Sequence, residues 1–74
     1  MTLKDLQPGG GGIVIMVGGE KALRHRLLDM GITPGTTVTV KKVAPMGDPV
    51  ELLLRGYVLS LRLEDAEKIS IKGV

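Results

Sequence analysis

The segment Arg24–Thr36 constrains the fold most strongly, because it contains the end of a helix, the residue that stops it and a tight turn. Leu23, Leu27 and Met30 recur at positions i, i+4 and i+7, which is the spacing of one face of an α-helix. The pattern predicts an α-helix over residues 20–30, with an apolar face that packs on the rest of the chain.

Gly31 follows this helix at the position where helices commonly end in a left-handed residue, a conformation that glycine adopts without a Cβ penalty. Ile32 can then fold back onto Leu27, as in a Schellman ending. The next four residues, Thr33–Thr36, have proline second and glycine third, which is typical of a type II turn. The helix is therefore predicted to end abruptly and to lead through a tight turn into a strand.

Five short segments have the β-branched composition or the apolar–polar alternation of strands, and turn residues separate them. They are Ile13–Val17, Thr37–Val40, Val50–Arg55, Tyr57–Leu63 and Lys68–Lys72. Because an isolated small sheet would leave unpaired edges and one wet apolar face, we expect a mostly-β fold, a small five-stranded antiparallel barrel. The helix would cover one side or opening of this barrel.

Irregular features accompany these elements. Gly9–Gly12 is interpreted as a flexible turn, since four consecutive glycines add no side chain to a core. The pair Lys41–Lys42 interrupts the alternation of its strand, which indicates a bulge or the end of the barrel edge. Short helical turns are expected at Leu3–Leu6 and at Glu64–Glu67.

Size and composition exclude several classes of protein. The 74 residues indicate a single domain, residues 1–74, and ten basic against eight acidic side chains leave a net charge of only +2. Tyr57 is the one aromatic residue, which disfavours the stacking platforms of nucleic-acid binders. The absence of cysteine excludes disulfides and thiolate metal sites and is compatible with a reducing cytoplasm. The longest apolar run, Ile13–Val17, is far below the ~20 residues that span a bilayer, so no membrane insertion is expected.

Motifs for catalysis or cofactor binding are not evident. The glycine runs lack the register of a phosphate-binding loop or a dinucleotide fingerprint. His25 and Asp29 are four residues apart on the helix, but two ligands are too few for a zinc site. Ser60 has no surrounding nucleophile motif. We therefore predict a non-enzymatic chain without catalytic, cofactor-binding or metal residues.

One feature of the helix points to a partner. Leu28 lies roughly 130° around the helix from its apolar face, among Lys21, Arg24 and His25. A leucine surrounded by basic groups resembles an interface anchor with a polar rim, so these four residues form the candidate partner surface. The alternative is that Leu28 rests against a loop or is an isolated exposed apolar residue, which is common in soluble proteins.

The order and spacing of these segments resemble the FeoA family over almost the full chain. The most specific match is Arg26–Gly35, the helix with its stop and turn. The other segments that resemble the family are Leu3–Gly9, Gly12–Val17, Pro45–Pro49, Tyr57–Arg62 and Ala66–Ile71. Gly10 and Gly11 depart from the family pattern.

The resemblance implies an SH3-like barrel and a small cytosolic accessory of bacterial ferrous iron uptake. Its expected partner is FeoB, a membrane permease with a cytosolic GTPase domain. The chain is then expected in the cytoplasm, peripheral at the inner face of the membrane through its partner.

Three alternatives remain at this point. A stimulator of the partner's GTPase could use Arg24 or Arg26 in a way that resembles an arginine finger, and the sequence prefers neither. A metal-sensing module, like the C-terminal domain of DtxR-type regulators, would use His25 and carboxylates. A nucleic-acid module is disfavoured by the few aromatic residues and the near-balanced charge.

Overall fold

The computed structural model describes residues 1–73, which form five strands, one nine-residue helix and two shorter helical turns. In chain order the elements are a 3-10 turn (Leu3–Asp5), β1 (Gly11–Val17), α1 (Lys21–Asp29), β2 (Thr37–Val43), β3 (Val50–Leu54), β4 (Tyr57–Leu61), α2 (Leu63–Ala66) and β5 (Ile69–Gly73). The predicted helix and all five predicted strands are confirmed, with bounds shifted by one to three residues. Val74, which the predicted single domain includes, lies outside the described residues.

The strands form one antiparallel sheet with the order β4-β3-β2-β1-β5. Within residues 1–73 no strand pairing joins β4 to β5, so the hydrogen-bond ladder does not run all the way around a closed barrel. The N-terminus borders β5 instead: the Ile71 N–H donates to the Met1 carbonyl at 3.0 Å, and Thr2 pairs with Ser70. The predicted mostly-β antiparallel fold is confirmed, and its sheet is open between β4 and β5.

The core lies on one face of this sheet. In β3, Val50, Leu52 and Leu54 are buried, whereas Glu51 and Leu53 lie on the opposite face, as the period of two along a strand requires. The remaining buried apolar residues come from the other elements and connections: Leu3, Val14, Val17, Leu27, Ile32, Val38, Val40, Leu61, Ala66, Ile69 and Ile71. Helix α1 contributes to this single core, as predicted.

Two strands contain bulges. The pairing of β2 with β3 shifts between Val40 and Lys42, where the two lysines predicted an irregularity. The pairing of β1 with β5 shifts between Val14 and Met16. This second bulge leaves Ile15 and Met16 both exposed, although they are adjacent and both apolar.

The prediction of a flexible turn over Gly9–Gly12 is wrong for its second half, because Gly11 and Gly12 belong to β1. Gly12 pairs with Val38 of β2, and on its other side a Cβ would lie 2.9 Å from the Lys72 carbonyl oxygen. Glycine is therefore required here by the close approach of two neighbouring strands, which a single sequence does not reveal.

Candidate partner-binding surface

The C-terminal end of α1 has the predicted Schellman geometry. Gly31 has φ of +99°, and its N–H donates to the Leu28 carbonyl at 3.0 Å. The Ile32 N–H donates to the Leu27 carbonyl at 3.1 Å, and both of these side chains are fully buried. The helix ends where the sequence predicted because these bonds satisfy its last carbonyls.

The turn after the helix is attached to the β3–β4 hairpin. The Thr36 N–H donates to the Thr33 carbonyl at 3.0 Å, which confirms the predicted tight turn. Arg55, in the hairpin turn, donates to the hydroxyls of Thr33 and Thr36 at 3.2 and 3.1 Å. The Tyr57 hydroxyl donates to the Met30 carbonyl. Two hairpin side chains therefore hold the end of α1 and its turn in place.

The N-terminal half of α1 carries the candidate surface. Lys21, Arg24 and His25 are all exposed, and in residues 1–73 neither Lys21 nor Arg24 pairs with an acidic side chain. The first turn of α1 contains no acidic residue, although the helix dipole disfavours cations there by about 0.3–1 kcal/mol each. Glu20, the N-cap residue, places a favourable negative charge at this end of the helix.

Leu28 differs from the other three candidate residues. Its side chain is half-buried and packs against the core cluster, rather than standing free at the centre of the basic residues. It can contribute only its outward part to a contact. All four residues lie on α1, and the three basic side chains are more exposed than Leu28.

The two arginines that sequence alone could not distinguish have different surroundings. Arg26 donates to Asp65 of α2 at 3.2 Å, and the Asp65 side chain is only 11% exposed. Arg26 therefore connects α1 to α2. Arg24 has no such partner among the described side chains.

The loop Pro45–Pro49 has a structural role at one residue. Asp48 Oδ1 accepts the Leu63 N–H at 3.0 Å, which satisfies a free donor at the start of α2. Leu63 therefore begins a helical turn, whereas the sequence predicted it as the last residue of a strand. Met46, at the tip of the loop, is 92% exposed.

The described part of the chain shows no metal centre or membrane span. In residues 1–73 no group of three or more histidine, cysteine, aspartate or glutamate side chains could hold a metal ion. No helix among these residues is long and apolar enough to cross a bilayer.

The sequence analysis missed a second exposed area, on the outer face of β3 and β4. Leu53 and Val58 pair directly across the two strands and are 42% and 44% exposed. Each is an apolar residue between two inward-facing positions of the same strand. A strand with one face in water normally alternates apolar and polar residues. Apolar residues at consecutive positions of β3 and β4 were therefore the sequence signal for this area.

The comparisons with known proteins agree with this architecture. The family model for the FeoA domain matches residues 1–73. The chain belongs to the FeoA family.

A relative of this FeoA domain is the Fe(2+) transport protein A/Fe(2+) transporter FeoB fusion protein of Porphyromonas gingivalis. The two are 40% identical over 72 residues, which is 97% of this chain. The chain spans only 8% of the length of that relative. In the fusion protein, a FeoA segment and a FeoB transporter are parts of one polypeptide.

Solved structures match the fold closely. The FeoA protein of Chlorobium tepidum has a TM-score of 0.93 at 36% identity and covers all of this chain and 70% of its own. The FeoA of Stenotrophomonas maltophilia, described as an SH3 domain protein in complex with zinc, has a TM-score of 0.85 at 24% identity. That match covers 97% of this chain and 89% of the other, and it supports the SH3-like fold alone.

Proposed function

We propose that this FeoA domain is a cytosolic accessory of ferrous iron uptake that binds a FeoB-type membrane permease and modulates its activity. The fusion relative carries the proposal, because its FeoA segment is covalently joined to a FeoB transporter. A covalent link keeps two domains at high effective concentration, which is useful when they work together. The same pairing between separate chains requires a binding surface on the FeoA domain.

The proposed surface is formed by Lys21, Arg24 and His25 in the N-terminal half of α1, together with the outward part of Leu28 nearer its C-terminal end. Lys21 and Arg24 have no acidic partner among residues 1–73, so they favour an acidic surface on the partner, since complementary charge speeds association and selects partners. Hydrogen bonds fix the C-terminal end of α1, so the helix can present these side chains to a partner as a rigid element. This rigidity supports the proposed surface.

Binding to the cognate FeoB permease in detergent micelles tests the proposal. We expect wild-type domain to bind and the double variant Lys21→Glu/Arg24→Glu to bind at least about tenfold more weakly at low salt. The matched control is Lys41→Glu/Lys72→Glu, which makes the same charge change at exposed strand residues. No binding by the wild-type domain, or equal losses in both variants, would contradict the proposal.

Stimulation of the partner's GTPase is a second candidate, favoured by the difference between the two arginines. Arg24 is available, whereas Arg26 is paired with Asp65. If Arg24 acts on the nucleotide, Arg24→Lys keeps the charge and the binding but lowers the rate of GTP hydrolysis by the complex, because lysine lacks the planar fork of arginine. An unchanged rate would leave binding as the function of this residue.

The metal-sensing alternative requires ferrous iron to bind the domain itself. Calorimetric titration of the isolated domain with ferrous iron separates it from the accessory function. Stoichiometric binding that His25→Ala abolishes would favour the sensor.

A further inference from the structure

The outer edge of β4 presents free backbone groups at defined positions. Arg55 and Gly56 form the two-residue turn between β3 and β4, with φ of 49° and 83°. In such a hairpin the flanking pair, here Leu54 and Tyr57, is hydrogen-bonded, and hydrogen-bonded pairs alternate with non-bonded ones. The N–H and C=O groups of Val58 and of Ser60 therefore point away from β3. In residues 1–73 no other strand pairs with this edge.

Strand β4 lacks three of the features that commonly prevent an edge from pairing with another chain. Sheet edges are commonly protected by lysine, proline, a bulge or a covering segment. Strand β4 contains neither lysine nor proline, and its five pairs with β3 run without a register shift. The other end of the sheet differs, because Met1 and Thr2 border β5, Lys68 directly precedes this strand and Lys72 lies within it.

Several of the side chains beside the open edge are apolar. Tyr57 and Val58 are 43% and 44% exposed, and Leu53 lies directly across from Val58 on the outer face. The Tyr57 hydroxyl contacts the Met30 carbonyl, so the start of β4 lies beside the C-terminal end of α1, the helix whose N-terminal half carries the proposed surface. Arg62, just beyond β4, is a 76% exposed cation whose contact with Glu64 is as long as 4.0 Å.

We propose that the β4 edge binds an extended segment of the FeoB-type partner by β-strand addition, and the inference rests on the function proposed above. The segment pairs its backbone with Val58 and Ser60, as in other recognition by an added strand. It carries an apolar residue opposite Val58 and an acidic residue near Arg62. Backbone pairing supplies the affinity, and these two side-chain contacts set the register.

A second copy of this chain fits the edge less well. Pairing of two β4 strands would use five residues on each side, whereas stable interfaces use about 20–30 residues a side. A segment of a partner that also contacts α1 needs only this small area, because the first contact raises the local concentration of the second.

Binding to the cognate FeoB permease in detergent micelles, measured with three variants, tests the inference. Val58→Lys places a charge on the edge, and Ser60→Pro removes an outward N–H at a position where an edge strand tolerates proline. Ile15→Lys is the control, since Ile15 is an exposed strand residue, 55% accessible, on β1. Thermal unfolding confirms that each variant is folded, and amide hydrogen exchange of Val58 and Ser60 is compared with and without the permease.

We expect Val58→Lys to weaken binding about tenfold and Ser60→Pro about fivefold, with Ile15→Lys near wild type. The Val58 and Ser60 amides should exchange more slowly in the complex. Unchanged affinity in both edge variants, or unprotected amides in a complex that forms, overturns strand addition and leaves the proposed function intact. Dimerisation of the isolated domain that Val58→Lys abolishes assigns the edge to a second copy instead. No binding by wild type overturns both proposals.

Discussion

The two ends of α1 differ in how they are attached to the rest of the molecule. At the C-terminal end, backbone bonds from Gly31 and Ile32 and side chains from the β3–β4 hairpin hold the chain in place. At the N-terminal end, Lys21 and Arg24 project without acidic partners among the described residues, although the helix dipole opposes them. The difference separates residues that stabilise the fold from the exposed cations that we propose as partner contacts.

Substitution at the two adjacent leucines of α1 gives the largest expected effect. Leu27→Ala should lower the free energy of unfolding by about 2–5 kcal/mol, because Leu27 is fully buried and truncation leaves a cavity. Leu28→Ala should cost about 1 kcal/mol, since Leu28 is only half-buried. Urea denaturation measures both. Equal losses would place Leu28 wholly in the core and remove it from the candidate surface.

The glycine that ends α1 gives the next effect. Gly31 and Gly35 have φ of +99° and +92°, so alanine at either costs about 1–2 kcal/mol in backbone strain. At Gly31 the new Cβ would also lie 2.6 Å from the Tyr57 hydroxyl oxygen, whereas nothing lies within 4 Å at Gly35. Gly31→Ala should therefore be the more destabilising in thermal unfolding.

A double variant separates the two costs of alanine at position 31, which are backbone strain and the steric clash with the Tyr57 hydroxyl. In a Tyr57→Phe background the hydroxyl is absent, so the cost of Gly31→Ala should fall towards that of Gly35→Ala. If the cost does not change, the Tyr57 contact does not contribute to fixing this end of the helix.

Substitution of the two arginines of α1 should have smaller effects, one on stability and the other on binding. Arg26→Gln should lower stability by at most about 1 kcal/mol, because the Arg26 side chain is 62% exposed although Asp65 is nearly buried. Arg24→Gln should leave stability unchanged and weaken binding to the permease. Denaturation and binding experiments measure these effects. If Arg24→Gln lowered stability and Arg26→Gln weakened binding instead, the proposed distinction between the two arginines would be wrong.

The smallest effect concerns an exposed ion pair outside α1. The hydrogen bond from Lys4 to Glu67, at 2.8 Å, lowers the pKa of Glu67 and raises the pKa of Lys4. The Glu67 contribution is therefore present above its ordinary pKa of 4.5 and lost as pH falls below it. The Lys4 contribution is present below 10.5 and lost as pH rises above it.

The melting temperature measured across pH tests this pair. Glu67→Gln should lower the melting temperature slightly at pH values between about 4.5 and 10.5, where both groups are charged. The difference from wild type should shrink at high salt. A large difference that persists at high salt would show that Glu67 has another role in the fold.

Local signals in the sequence predicted the fixed end of α1 well. Gly31, Ile32 and the turn at Thr33–Thr36 depend on residues near one another in the chain, so their geometry is encoded locally. Gly12 and the bulge at Ile15 depend on strand β5, far away in sequence, and were not predicted. Sequence reasoning detects short-range structure more readily than the approach of distant strands.

The positions of the candidate residues on α1 were predicted in part for the same reason, whereas their role as a partner surface stays a prediction. Helical spacing grouped Lys21, Arg24 and His25, which is a local property. It did not show that Leu28 would lean on the core, that Arg26 would pair with Asp65, or that the β4 edge would be left open. Each of these depends on which elements come together in the folded molecule.

Titration of the ¹⁵N-labelled domain with the cognate FeoB permease in detergent micelles tests the central claim most directly. The claim is that the domain binds this partner through the free end of α1. It predicts selective loss of amide signal intensity at residues 21–25, with the turn at residues 33–36 much less affected. Amide signals that stay unchanged or weaken equally at all residues on addition of the permease would contradict it. Intensity losses confined to β1 and β5 would also contradict it.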